Sequence, residues 1–263
     1  MRKLLSLPRK MITNYGWVVV TCLVLLGCAG NSNTSIEVAS PDGKNVFVLS
    51  FENGKGLSFE AKRLEEDETL RIIQPSTIQW VSGDLDFKGP FKISDVFSTS
   101  HKGEWQTRFG ELSTVPDKYN ETKVSLEGAE AKLNLIIRAY DEGLAFSYEI
   151  PEQKGLKEIG LDDERISYVF DRDYHVWSTP ERKPGKLTAQ GAYQRIPLSQ
   201  LKSGAERPLL IEYSDDLKIA LAEARLVDYA RLSYDADPNT PYSIFSSLDG
   251  KLLKARQTPS PEL

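Results

Sequence analysis

Short segments in which apolar and polar residues alternate recur along this chain from Ile36 onward. A period of two puts successive side chains on opposite faces, which is the pattern of a half-buried β-strand. Turn signals such as Pro41-Asp42-Gly43 separate these segments, and helical periodicity is rare. The pattern predicts an all-β fold built as a large antiparallel β-sandwich. The clearest predicted strands are residues 45–51, 60–63, 77–81, 123–126, 132–138, 144–150, 166–170, 209–213, 218–222 and 242–246.

A few segments between the predicted strands have a different local pattern. Residues 199–202 predict one helical turn, and residues 223–229 fit either a short helix or a strand with a bend. Tyr-Asp-Glu-Gly at 140–143 predicts a hairpin turn in which Gly143 takes a positive φ. The acidic runs at 65–68 and 162–164 are interpreted as a solvated hairpin loop and a turn.

The amino terminus has the order of features found in a secretory signal. Residues 1–15 carry basic side chains and no acidic one, an apolar run covers 16–26, and Gly27 precedes Cys28. This arrangement resembles the lipobox of bacterial lipoproteins, in which the cysteine thiol receives a diacylglycerol. We therefore predict a signal peptide over 1–27, lipidation of Cys28 and a flexible tether over 28–35. An ordinary signal peptide or a short anchor helix is the alternative.

Charge and cysteine content exclude several classes of site. The formal net charge is −5, and loss of the basic signal makes it more negative, which does not favour nucleic-acid binding. The chain has only Cys22 and Cys28, so a domain that starts after them has no disulfide and no cysteine nucleophile. Attachment to anionic lipid is not favoured either, so the membrane contact depends on the lipid anchor.

Few side chains are candidates for a functional site when only residue types and spacing are considered. His101 and His175 are far apart in sequence, and neither has the spacing of a metal site. Trp105, Tyr119, Trp177 and Tyr193 lie in or beside loop-like segments, where aromatic rings can stack on the apolar faces of sugars, although such rings more often fill a core. No catalytic residue can be named from these patterns.

Several segments together resemble the amino-terminal domain of glycoside hydrolase family 97, a family of bacterial α-glucosidases and α-galactosidases. The most specific of them is Arg-Ala-Tyr-Asp-Glu-Gly-Leu-Ala-Phe at 138–146. The others, in matching order, are residues 40–43, 117–121, 148–151, Tyr193 with 197–199, 208–209, 223–224 and 228–229.

The resemblance implies a β-supersandwich similar to galactose-mutarotase-like domains, over residues 36–254. In the family this domain precedes a catalytic (β/α)₈ barrel that carries the catalytic carboxylates. We expect that residues 255–263 form a linker-like tail, that the barrel is missing from this chain, and that the chain is inactive alone.

The resemblance also bears on a metal. In the family, a glutamate in a Y-E-x-x-Y segment of this domain helps to bind calcium at the active site. If Tyr193 is the second tyrosine, Gln190 stands at the glutamate position and Ala189 at the first tyrosine. An amide oxygen can ligate calcium, but the lost negative charge lowers the affinity.

Three functions are compared. The first is the amino-terminal domain of a family-97-like glycoside hydrolase, with α-linked glucosides or galactosides as substrates and a separately encoded barrel as partner. The alternative is a non-catalytic carbohydrate- or protein-binding lipoprotein module. A mutarotase-like enzyme is the third, and it needs a histidine acid and a carboxylate base in one cleft. For each we expect the cell envelope, at the periplasmic face of the outer membrane, because Ala29 is not the aspartate that retains some lipoproteins at the inner membrane.

Overall fold

The described part of the chain contains fifteen strands and one 3-10 turn, joined by turns and loops. The computed structural model describes residues 34–52, 56–82, 90–128, 131–153, 160–179, 192–227 and 229–248. The strands are β1 (Thr34–Ala39), β2 (Asn45–Glu52), β3 (Gly56–Leu64), β4 (Thr69–Val81), β5 (Lys92–Gln106), β6 (Thr114–Glu127), β7 (Lys132–Tyr140), β8 (Gly143–Glu149), β9 (Asp163–Val169), β10 (His175–Ser178), β11 (Gln194–Pro197), β12 (Leu209–Glu212), β13 (Lys218–Leu221), β14 (Leu232–Ala236) and β15 (Ser243–Leu248). The 3-10 turn is Leu198–Gln200.

These strands form three sheets in which every described pairing between strands is antiparallel. The largest sheet has seven strands in the order β1-β2-β3-β4-β9-β15-β14. One four-stranded sheet has the order β5-β6-β7-β8, and the other has the order β11-β10-β12-β13. The predicted all-β, antiparallel fold is confirmed.

One apolar core joins the three sheets. Alternation along β7 buries Leu133, Leu135 and Ile137, each at most 1% exposed, against the seven-stranded sheet. Aromatic rings fill the space between the two layers, since Phe146 of β8 lies 5.7 Å from Phe47 and 5.5 Å from Phe59, centroid to centroid. A sandwich without disulfides therefore depends on packing for its stability.

The hairpin of β5 and β6 extends beyond the sheet that it belongs to. Strand β7 pairs with β6 only from Glu127 to Tyr119, whereas β5 continues along β6 as far as the pair Gln106 and Thr114. The extension is a two-stranded ribbon, with Trp105, Phe109 and Leu112 at 54%, 90% and 60% exposure near its tip.

Some local predictions are wrong. Glu164 is not in a turn, because β9 begins at Asp163 and continues through it. The turn between β7 and β8 does form, but Gly143 does not take a positive φ; that conformation occurs at Gly43, with φ 77°, in the turn after β1. Residues 223–227 form neither a helix nor a strand. The single helical turn predicted near Ser199 is present as the 3-10 turn.

Candidate functional site

The aromatic and histidine candidates divide between two separate sheets. His101, Trp105 and Tyr119 lie on the β5–β6 hairpin, whereas His175 and Trp177 lie on β10 and Tyr193 immediately precedes β11. The two histidines therefore do not meet. His101 Nε2 lies 3.3 Å from Asp117 Oδ2, where the ribbon leaves the sheet, and the two side chains are 46% and 37% exposed. This histidine and carboxylate therefore meet on an exposed surface and not in the cleft that a mutarotase-like enzyme needs.

The outer surface of the β11-β10-β12-β13 sheet brings together residues from three strands. On β10, Val176 and Ser178 point into the core and His175 and Trp177 point outward; on β12, Leu209 and Ile211 are buried and Leu210 and Glu212 point outward. Trp177 is paired in register with Arg195 on one side and Leu210 on the other. We call the surface formed by Trp177, Tyr193, Arg195, Leu210 and Glu212 the Trp177 face.

Glu212 fixes two neighbours on the Trp177 face. The indole Nε1–H of Trp177 donates to Glu212 Oε1 at 2.8 Å. From the other side of β10, Arg195 reaches Glu212 Oε2 with Nε at 2.9 Å and with a terminal nitrogen at 2.7 Å. The bond from Arg195 and then that from Trp177 lower the pKa of Glu212 to about 2. Arg195 and Glu212 therefore stay ionised as a charge-balanced pair at neutral pH.

A second aromatic group crosses the β5-β6-β7-β8 sheet on its outer side. His101, Tyr119 and Tyr140 are cross-strand neighbours, with 5.0 Å between the ring centroids of each adjacent pair. The guanidinium carbon of Arg138 lies 4.5 Å from the centre of the Tyr119 ring, and its Nε donates to Glu121 at 2.6 Å. The Tyr119 ring is thus covered by its neighbours, which is a packing role.

The segments that carry the family resemblance meet at one end of the sandwich. The backbone N–H of Asp42, in the turn after β1, donates to Asp141 Oδ1 at 2.8 Å. The side-chain amide of Asn45 donates to the backbone oxygens of Tyr140 and Asp141 at 3.2 and 2.8 Å. Lys118 Nζ lies 3.1 Å from Asp141 Oδ2. These contacts join the β1–β2 turn of one sheet to the β7–β8 turn of the other. The motifs at 40–43 and 138–146 therefore have a structural role.

A buried carboxylate on β9 is held by side chains from two other segments. Glu164 on β9 is 5% exposed, and its Oε2 accepts from the hydroxyl of Tyr148 on β8 at 2.5 Å and from that of Tyr229 at 2.6 Å. The two hydroxyl groups also contact each other. Burial raises the pKa of Glu164, although the two tyrosine bonds oppose the shift. We call these three side chains the Glu164 cluster.

Residues 222–227 and 229–231, which have no regular secondary structure, are also held by ion pairs. Arg207 pairs with Glu223, and Arg231 pairs with Glu206, all with largely buried side chains except for Arg231, which is 33% exposed. Together with Tyr229, these contacts tie the segment to the sandwich without regular secondary structure. The acidic and tyrosine positions at 223 and 229 thus have a structural explanation.

Two predicted sites lie outside the described residues: the lipidation site Cys28 and the calcium position Gln190, with its neighbour Ala189. Within the ranges that are described, no three His, Cys, Asp or Glu side chains are grouped to hold a metal ion. The same ranges include no helix long and apolar enough to cross a membrane.

Solved structures of glycoside hydrolases share this fold over part of their length. A glycoside hydrolase family 97 enzyme in complex with acarbose from Pseudoalteromonas sp. strain K8 is 26% identical, with a TM-score of 0.70. A variant of that enzyme gives 27% and 0.71. Each match covers 81% of this chain and 31% of that chain. A β-arabinopyranosidase, 18% identical over 80% of this chain and 35% of its own, shares the fold with a TM-score of 0.67.

The sequence also matches the family model described as Glycosyl-hydrolase 97 N-terminal over residues 38–259. The chain belongs to this family, and the described sandwich is its N-terminal domain. The resemblance predicted from the motifs is confirmed. The chain spans about a third of the length of the family 97 enzyme that it matches.

Proposed function

We propose that this sandwich supports a family 97 catalytic domain that acts on α-linked glucosides or galactosides. The observation that carries the proposal is the family match over residues 38–259, together with coverage of only 31% of the solved family 97 enzyme. The remaining two thirds of that enzyme contain a region for which this chain has no matched counterpart. The acarbose bound to that enzyme supports an α-glucoside as the substrate class.

The proposal extends to location and metal. Cys28 would carry a lipid that holds the domain at the periplasmic face of the outer membrane, as the signal-like residues 1–27 indicate. Gln190 would offer an amide oxygen to a calcium ion, in place of the glutamate that the family resemblance implies. A hard oxygen suits calcium, and the missing charge predicts a weak site.

Affinity purification of the tagged protein from its native cell envelope tests the proposal. Mass spectrometry of the purified material would identify any family 97 catalytic domain, either on the same polypeptide or bound to it. We expect such a domain, together with calcium-dependent hydrolysis of an aryl α-glucoside or α-galactoside. The 263-residue chain purified alone is expected to hydrolyse neither substrate.

Two results would contradict the proposal. Turnover by the 263-residue chain alone would show that it carries its own catalytic groups. A native preparation that contains the intact protein and no family 97 catalytic domain would favour the free-standing binding module.

A further inference from the structure

We propose that the Trp177 face binds a neutral oligosaccharide, independently of any catalytic domain. The choice of an α-linked hexose chain as ligand rests on the proposed function; the choice of surface rests on the aromatic and charged side chains that the three strands bring together.

Two aromatic rings supply the apolar part of this surface. Trp177 is 37% exposed and Tyr193 is 50% exposed. Tyr193 immediately precedes β11 and lies two residues before Arg195, which pairs with Trp177. The C–H faces of pyranose rings are apolar, and aromatic side chains are the groups that cover them at low entropic cost. Two exposed rings whose backbones are this close in the register can contact neighbouring sugar units.

The Trp177 face is fixed in place before a ligand arrives. The indole is held by its bond to Glu212, and the Arg195 side chain is held by two contacts to the same carboxylate. Ordering of side chains is one of the costs of binding, so groups that are already ordered lose less on association. Leu210, between Trp177 and the next strand, extends the apolar floor.

The charges on the Trp177 face suit an uncharged ligand better than an anion. Arg195 and Glu212 compensate each other, and the ammonium of Lys218, which is paired in register with Glu212, donates to the backbone oxygens of Ser214 and Asp215. A guanidinium has five N–H donors, and its contacts to Glu212 use two of them. Sugar hydroxyl groups both donate and accept, so they match the remaining donors of Arg195 beside the acceptor oxygens of Glu212.

The aromatic group on the β5–β8 sheet is a poorer candidate. Tyr119 has His101 stacked against it, Tyr140 tilted beside it and Arg138 over its ring. Its faces are therefore occupied by protein. Trp105 is more exposed than Trp177, at 54%, but lies on the projecting ribbon, opposite Val115. It serves as a matched tryptophan control on a different surface.

Calorimetric titration of the full chain with maltohexaose, and with an α-galactoside trisaccharide, tests the proposal. We expect saturable binding of at least one of them. Trp177→Ala and Tyr193→Ala should each weaken that binding by about tenfold or more, whereas Trp105→Ala should leave it unchanged. Trp177→Phe keeps an aromatic ring but loses the bond to Glu212 and part of the stacking area, so it should retain more affinity than Trp177→Ala. Circular dichroism of each variant confirms that the sandwich is folded.

No heat change with either sugar, for a folded chain, would overturn the inference. So would equal loss of binding in Trp105→Ala and Trp177→Ala, or equal affinities for Trp177→Ala and Trp177→Phe. The outcome is separable from that of the proposed function. Whether the native preparation contains a catalytic domain is decided by mass spectrometry and not by the titration. Sugar binding by this chain does not depend on that domain.

Discussion

Removing one hydroxyl from the Glu164 cluster should destabilise the sandwich by an amount that the structure allows us to work out. Tyr148→Phe deletes one of the two donors to Glu164 Oε2 and keeps the aromatic ring, which packs against Trp80 with 4.9 Å between centroids. A hydrogen bond to a charged group contributes about 1.5–3 kcal/mol. We expect the free energy of unfolding to fall by about 2 kcal/mol, with a similar loss in Tyr229→Phe.

The double variant with both tyrosines changed to phenylalanine leaves the buried carboxylate without either phenol donor. Leaving a buried charge without partners costs about 3–5 kcal/mol, so we expect the free energy of unfolding of the double variant to fall by that amount. Urea unfolding at neutral pH, followed by circular dichroism and tryptophan fluorescence, measures each loss. Tyr193→Phe is the matched control, because its ring is 50% exposed and its change should stay within about 0.5 kcal/mol.

Glu164→Gln separates the charge from the packing. The glutamine keeps an acceptor oxygen for the tyrosines but has no charge to desolvate. Tyr148→Phe should therefore cost only about 1 kcal/mol in the Glu164→Gln background, the value of a neutral hydrogen bond. The resulting double-mutant cycle should show a coupling energy of about 1 kcal/mol. Equal costs of Tyr148→Phe in both backgrounds would refute the assignment of this cluster as a held, buried charge.

The raised pKa of Glu164 gives the same cluster a pH dependence with a defined sign. The ordinary value is 4.5, and burial raises it in the folded protein. Compared with the unfolded chain, the folded protein keeps the proton on Glu164 up to a higher pH. The stability that this proton contributes is complete below pH 4.5 and is lost as the pH rises through the raised pKa. Between these limits the stability of the wild type should fall relative to Glu164→Gln. A constant difference between the two proteins from pH 4 to neutrality would contradict this prediction.

Three further predictions concern other parts of the chain. Asn45→Ala removes two hydrogen bonds to the β7–β8 turn and should cost about 1–2 kcal/mol in urea unfolding; a loss below about 0.3 kcal/mol would mean that the turn is held otherwise. Cys28→Ala should abolish labelling by radioactive palmitate and move the protein from the membrane fraction to the soluble fraction of the envelope, and unchanged labelling would exclude Cys28 as the lipid site. Gln190→Glu should raise calcium affinity in calorimetry, whereas Gln190→Ala should not, and equal affinities would remove this residue from the metal site.

The sheet positions that alternation predicts correctly are those with one fully buried face. Leu133, Leu135, Ile137 and Ala139 on β7 are all at most 1% exposed, and residues 132–138 predict that strand directly. Strand β5 is missed because it is an edge strand with little buried surface, and residues 99–106 are exposed throughout. The partly buried Ile93 and Val96 of β5 are too few to give a periodic apolar signal along the whole strand.

The candidate site could also be predicted only in part from the sequence. Trp177 and Tyr193 can be selected from the sequence as aromatic residues near loops, but their polar partner Glu212 cannot. Glu212 is 35 residues from Trp177, and the two meet only because β10 lies between β11 and β12. Glu164 fails for a related reason: an acidic run indicates a solvated turn, and the tyrosines that allow its burial are 16 and 65 residues away.

The hydrogen bonds between the β1–β2 turn and the β7–β8 turn have a consequence for how the chain folds. Asn45 bonds to residues 95 and 96 positions further along, and the seven-stranded sheet is continuous only when β9, after residue 162, pairs with β4. Contacts between such distant positions slow the search for the native state, because the intervening chain must be closed into a loop first. Strands β1 to β4 pair with their neighbours in sequence, so β4 keeps one unpaired edge until β9 is available. This predicts a domain that folds slowly and is prone to aggregate until β9 has paired with β4.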